Sequence, residues 1–355
     1  MGMRNLFYPP FGEWLHGDLS QIEMRGGGAE TGDPVLIKEF RDGVDRHENT
    51  RLLVDQLVGW SKIGLINPAL KNVVAQRTTS KVVNFNVLFT DDPHTIEHSL
   101  NKAGIFGVGK AILDPLYMEI HRTYNNVSFF KFLYVPYVIL KNKYIINYVR
   151  RRRRFNDLTF LTDTRALEGA AFLKELIPDY LTSNLLLHPA RPIAPPADLV
   201  LPQFDKDYTL KDISKRFSKD ARKSFMEAWN FLIQGPYSGD IPKLAVSCVA
   251  RKWAKEGIVA VPLFTLYDSV ECACEPAHRE RAVREATPYF LAPPVHLLTD
   301  EEPPWHRVPF NIEWSVGPNW GEQTKLNGWN ATDDDLDAAE PELDEFDMSE
   351  ALEEG

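Results

Sequence analysis

Two aspartates, Asp18 and Asp268, each stand where an apolar stretch gives way to a turn, at Gly17-Asp18-Leu19-Ser20 and Leu266-Tyr267-Asp268-Ser269. Carboxylates so placed come together if their strands are neighbours in one sheet. A pair of them can hold two divalent ions about 3.5–4 Å apart, as phosphoryl transfer from a nucleoside triphosphate requires. Taken singly, each is also an ordinary cap or turn residue. The same chemistry needs cations for the triphosphate. Arg77 and Lys81 are four residues apart, with Phe85 one further turn along. On a helix they form a stripe of two charges and a flat ring, along which a triphosphate can lie while the ring packs on base or sugar. The plainer alternative is a solvated basic edge beside a core phenylalanine.

The elements that must position these residues can be read from the pattern. A strand is expected around Gly12–His16, with a turn and helix start at Gly17–Ser20. Apolar spacing predicts helix from Val35 to about Ile66 and again from Val73 to Phe89, although Val82–Val87 alone would also suit a strand. Asp91-Asp92-Pro93 ends that segment, and further helix leads to the aromatic stretch 128–148 and the run Arg150–Arg154. Residues 156–215 hold Pro189, Pro192, Pro195, Pro196 and Pro202 and are expected to form an exposed, inserted or peripheral loop. Helices are predicted over Ser218–Ile233 and Asp240–Glu256. The apolar runs Val259–Tyr267 and Val270–Cys274 make a hairpin about Asp268, and a last strand spans Asn311–Val316.

The chain has 355 residues, 44% of them hydrophobic, which is enough for a substantial core in about two domains. It has neither a membrane-span-like run nor a signal-peptide pattern, and three cysteines make no disulfide framework, so a cytoplasmic location is expected. The net charge of −10 argues against a polyanionic partner only until its distribution is considered. Residues 331–355 carry 12 acidic and no basic side chains, leaving 40 basic against 38 acidic in residues 1–330. Local field governs nucleic-acid binding, so the balance does not exclude DNA. The tail itself is expected to be disordered, and either solubilises, recruits a basic partner or masks a DNA cleft.

Taken together, the motifs resemble those of the A-family DNA polymerases, the group of bacterial polymerase I and many phage replicases. Asp18-Leu19-Ser20-Gln21-Ile22-Glu23 resembles motif A, Arg77 through Lys81 to Asn84-Phe85 motif B, and Tyr267-Asp268-Ser269 motif C. Gly43–His47, Asn230, Gln234-Gly235 and the Val308–Trp320 strand are family-like as well. The resemblance implies an α/β (α+β) fold, a right-hand palm with an antiparallel sheet plus helical fingers, without thumb or exonuclease domain. Its parts would be palm at 1–25 and 216–330, fingers at 26–155, the proline-rich segment at 156–215 and the tail at 331–355. It further implies primer extension with two Mg2+ ions, or Mn2+, held by Asp18, Asp268 and the Leu19 carbonyl. Arg77, Lys81 and His47 would bind the incoming dNTP, Phe85 would pack on the deoxyribose, and Glu23 would close the space of a ribose 2′-OH. Phe89, Asn230, Gln234, Arg150 and Arg152 would contact the primer–template. Because so little precedes motif A, the expected arrangement is half of a split, phage-type enzyme, with a separate polypeptide supplying thumb and exonuclease.

The sequence also departs from that pattern. Ser269 stands where motif C usually has glutamate, and Asn86, Phe89 and Thr90 stand where motif B has glycine, tyrosine and glycine. These departures leave a competing reading, a non-catalytic DNA-binding subunit derived from a polymerase. Gly104–Ala111 satisfies the P-loop pattern except for its final hydroxyl residue, and the helical character of the residues before it disfavours an ATPase.

Overall fold

A computed structural model describes residues 3–326 except 58, 62, 64–66, 156–163 and 189; the acidic tail lies outside the described residues. Its strands are β1 (Glu13–Leu19), β2 (Tyr144–Ile146), β3 (Arg152–Arg154), β4 (Ala260–Leu266), β5 (Ser269–Cys274), β6 (Ile312–Asn319) and β7 (Glu322–Lys325). The chain divides into two compact units, one formed by the residues up to Gly26 together with those from Gln234 onward, the other by Gly27–Ile233.

The first unit is built on an antiparallel sheet of order β4-β5-β1-β6-β7. Its central strand β1 alternates in the way a half-covered strand must. Leu15 and Leu19 are buried, Gly17 lies between them, and Trp14, His16 and Asp18 occupy the opposite positions. Gly17 is required by packing, since a Cβ there would sit 2.8 Å from the Trp314 ring and 2.9 Å from Ile312. Helices Ile241–Lys255 and Arg279–Leu291 contribute to the core. Trp253 donates its indole N–H to Ala282 O (3.0 Å), and Trp314 donates to Thr287 Oγ1 (3.0 Å). Strand β1 runs to Leu19 and the following helix begins only at Ile22, later than the turn expected at Gly17–Ser20, because β5 and β6 flank the strand as far as its last residues.

Among its described residues the second unit is mainly helical, with the small β2–β3 hairpin and one isolated bridge, Phe204 to Tyr208. Its core is the aromatic stretch, with Phe129, Phe130, Phe132 and Tyr134 almost wholly buried around a π-helical turn at Phe130–Tyr134. The helix expected from Val35 is broken into Pro34–Arg41 and Arg46–Leu57. Gly43 takes a φ of +67°, and Asp45 caps the second helix by accepting from His47 N at 2.9 Å. Val73–Phe89 is one helix, capped by the Asn72 side chain, so the strand-like Val82–Val87 run yields to its amphipathic context. Residues 164–209 are not the exposed loop expected. Helices Thr164–Leu176 and Asp179–Leu187 precede the proline run, and Ala190, Leu201, Phe204 and Tyr208 are buried. Apolar residues between the prolines anchor a coil that cannot make a ladder of its own. The near-P-loop follows helix Pro93–Lys102 rather than a strand. Among the described residues no helix is long and apolar enough to cross a membrane, and all three cysteines are buried and free.

Candidate active site

In the first unit the register of β1 against β5 sets Asp18 opposite Ser269 and therefore beside Asp268, and Leu19 N–H donates to Asp268 O at 2.8 Å. Both aspartates are half-buried at the same end of neighbouring strands. The hairpin that carries Asp268 has a two-residue turn whose first residue, Tyr267, is held at φ +56°, a conformation such turns demand and tyrosine resists. Ser269 fastens this turn by donating its hydroxyl to Leu266 O (3.0 Å). After β1, the buried Arg25 donates to Ser20 O (2.8 Å) and to Pro309 O, fixing the turn that follows Asp18; burial pushes its guanidinium down to about 10.

Glu23 lies in the first turn of helix Ile22–Thr31, half-buried, and accepts from Ser238 Oγ at 2.8 Å. Burial raises its pKa; the Asp268 charge adds to that, while hydrogen bonds from Ser238 and Gln234 oppose it. Two strand positions before Asp18, His16 donates from Nδ1 to Glu271 (2.8 Å), a carboxylate only 1% exposed that also accepts from Trp14 Nε1 at 2.6 Å and shares the Ser269 hydroxyl proton with Leu266 O, more distantly at 3.3 Å. Burial pulls His16 down, but the hydrogen bond and charge of Glu271, helped by Asp18, outweigh it and the pKa is raised. On the other side, β6 sets Glu313 opposite Asp18, where Lys325 pairs with it.

Among the described residues there is no group of three or more His, Cys, Asp or Glu side chains that could hold a metal ion. A divalent ion at Asp18 and Asp268 would thus have two carboxylates and complete its shell from backbone oxygen, substrate and water. Such a sparse all-oxygen set suits Mg2+, which sheds water reluctantly and shares phosphate ligands.

In the second unit, helix Val73–Phe89 buries Gln76, Thr79, Ser80, Val83, Asn84, Val87 and Leu88 and turns Arg77, Lys81 and Phe85 outward, with Phe89 half-buried along the same line. The Phe85 and Phe89 rings lie 5.0 Å apart. Arg77 is held by Asp45 through two bonds of 3.0 and 2.7 Å. Asn84 is the hub behind the stripe, accepting from Thr50 Oγ1 (2.7 Å) and donating to His47 Nδ1 at 3.1 Å. Burial, with help from Arg77 and Lys81, pushes His47 down to about 4 against the pull of Asp45, so near neutrality it is an uncharged imidazole. With Nδ1 accepting, its proton sits on Nε2 as a single donor. His47 is therefore a hydrogen-bonding group and adds no charge to Arg77 and Lys81. Thr90 ends the helix at φ −127°, so the glycine of the motif B pattern is not needed there.

The remaining contact candidates are dispersed. Asn230 Oδ1 is buried and, among the described residues, finds no hydrogen-bond partner. Arg150–Arg154 are all exposed on the β2–β3 hairpin, with Arg152 over the Tyr144 ring at 5.1 Å. Sequence reasoning missed His16, Asp45, Ser238 and Glu271. His16 and Glu271 had a signal, since each is a polar residue inside an apolar strand and each sits two positions from the facing pair Asp18 and Ser269. Ser238 had none.

No protein-family model and no curated protein matches this sequence. Among solved structures, the chain is similar to the POL domain of Pol1 from M. smegmatis, in complex with DNA primer-template and dNTP, with a TM-score of 0.55 and 14% identity. The match covers 90% of this chain and spans 42% of that one. The fold is thus of the polymerase palm-and-fingers kind, an antiparallel sheet with an accompanying helical unit.

Proposed function

We propose that this chain is a template-directed DNA polymerase of the A-family type, adding deoxynucleotides to a primer 3′ end. The observation that carries the reading is the β1–β5 register, which sets Asp18 beside Asp268 at one strand end of a sheet in a polymerase-like fold. In the reaction the primer 3′-hydroxyl gives up its proton to solvent, its oxygen bonds to the α-phosphorus of the dNTP, the bridge to the β-phosphate breaks, and pyrophosphate leaves. Asp18 and Asp268, with the Leu19 carbonyl, would hold two Mg2+ ions, which when bound would stabilise negative charge on the attacking and leaving oxygens. Arg77 and Lys81 neutralise the triphosphate, Arg77 exchanging Asp45 for phosphate, and the His47 Nε2 proton donates to an oxygen. Phe85 packs against the deoxyribose, and Glu23 fills the volume of a 2′-OH, leaving a ribose hydroxyl without room or partner. Phe89, Asn230, Gln234 and the exposed arginines Arg150 and Arg152 contact primer–template, the arginines through phosphates.

A second reading, a DNA-binding subunit without catalysis, is favoured by one observation. The Ser269 hydroxyl is occupied within the hairpin, and among the described residues no third carboxylate joins the aspartate pair in a metal-binding group. Extension of a labelled primer with Mg2+ and dNTPs separates the two. The polymerase reading requires extension by the chain, alone or with a partner polypeptide, that falls at least about a thousandfold in both Asp18→Asn and Asp268→Asn. Retained extension in either variant refutes it, and DNA binding without any extension selects the second reading.

A further inference from the structure

A carboxylate excludes a ribose hydroxyl only if it cannot swing aside, and glutamate has three rotatable side-chain bonds with which to do so. Glu23 is restrained from outside its own helix. Ser238 Oγ donates to it at 2.8 Å, and Gln234 donates as well. Ser238 lies in the π-helical turn Gly235–Asp240, which opens where Pro236 has no N–H to give the preceding helical turn. This turn is locked onto helix Ile22–Thr31. Tyr237 is fully buried, and a Cβ on Gly26 would come within 2.4 Å of its ring, so that ring packs directly on the Gly26 backbone. The serine hydroxyl and the glutamate thus face each other beside a tight contact of the Tyr237 ring with helix Ile22–Thr31.

We propose that Ser238 is a positioning residue for sugar selection, holding Glu23 in the single orientation that excludes a ribonucleotide. The proposal rests on the polymerase reading and on Glu23 as the wall. In Ser238→Ala the wall keeps its volume and loses its fixed direction, so ribonucleotides gain while deoxynucleotides are little affected. The test is the ratio of kcat/KM for dATP over ATP in single-nucleotide extension by the full chain, for wild type, Ser238→Ala, Ser238→Cys, Ser238→Thr and Glu23→Ala. Loss of a hydrogen bond to a charged group predicts a fall of about 10- to 100-fold in the ratio for Ser238→Ala, with dATP kinetics within about threefold of wild type. Ser238→Cys, of nearly the same size and a weak donor, should fall almost as far, and Ser238→Thr, which keeps the hydroxyl, should retain the ratio. An unchanged ratio in Ser238→Ala and Ser238→Cys, with Glu23→Ala reduced, overturns the role of Ser238 alone. A Ser238→Thr ratio as low as that of Ser238→Ala overturns it too. An unchanged ratio in Glu23→Ala removes the wall itself, and no extension by wild type with either nucleotide removes the polymerase reading beneath both.

Discussion

Lys131 is wholly buried in the second unit, and its ammonium group reaches the end of helix Val73–Phe89, donating to Val87 O (2.6 Å) and Thr90 O. Tyr117 donates to Thr90 O at 2.9 Å and Trp229 to Leu88 O at 2.8 Å, so three side chains satisfy carbonyls that a helix end leaves open. Burial pushes Lys131 down to about 7 against the attraction of Asp91, which is itself bonded to Arg222; the adjacent His121 is driven to its neutral form by burial and by Lys131. The unfolded lysine titrates near its ordinary value of about 10.5. Between pH 7 and 10.5 the unfolded chain therefore binds more protons than the folded one, and stability rises with pH. Below 7 and above 10.5 the contribution is flat. Three and a half pKa units correspond to about 5 kcal/mol in all, of which about 2 kcal/mol falls between pH 7 and 9. Lys131→Met removes this gain and leaves Val87 O without its donor, a cost of about 1–3 kcal/mol. The variant should then be at least as stable as wild type at pH 7 and lose that advantage by pH 9. Urea unfolding followed by tryptophan fluorescence at both pH values measures the difference of differences. Wild-type and variant curves that move in parallel with pH would refute the buried lysine as the source.

Four further outcomes follow from the site. Asp45→Asn keeps the cap on helix Arg46–Leu57 but releases Arg77 from an exposed pair worth up to about 1 kcal/mol, so KM for dNTP should fall by up to about fivefold in steady-state extension; a rise would count against Arg77 as a phosphate ligand. Glu271→Gln cannot accept from Trp14, His16 and Ser269 together, and should cost about 1–3 kcal/mol in urea unfolding; an unchanged midpoint would show the network to be incidental. Tyr267→Gly relieves a positive φ in the turn next to Asp268 and should stabilise the protein by about 1 kcal/mol, read as a raised melting temperature. Arg152→Ala should lower the slope of log Kd for primer–template against log salt by about 1 if that side chain meets a phosphate, and leave it unchanged if not.

The sequence made most of these elements legible, for identifiable reasons. Helix Val73–Phe89 could be read because its polar and apolar residues keep a helical period over seventeen positions, which outweighs the β-branched run inside it. The Asp268 hairpin could be read because two apolar runs flank a short acidic turn. The helices of 164–187 were hidden by the prolines that follow them, and the break after Arg41 by an Asp cap whose partners, the N–H groups of His47 and Glu48, are backbone atoms common to any sequence. Register was the larger gap. Asp18 and Asp268 could be paired in principle, but that His16 then faces Glu271 follows only once Asp18 is set against Ser269.

That register also bears on the missing motif C glutamate. The position is filled by a serine that ties down a strained turn, while the carboxylate two residues further along β5 is drawn inward by Trp14 and His16. The Glu271 carboxylate thus lies within the sheet, 1% exposed, where it orders the side chains around it. Catalysis by the proposed pair Asp18 and Asp268 would depend on the precision of these strand ends. The turn at Tyr267-Asp268 and the Arg25 clamp after Asp18 supply that precision, so loosening either should lower turnover before it lowers DNA binding.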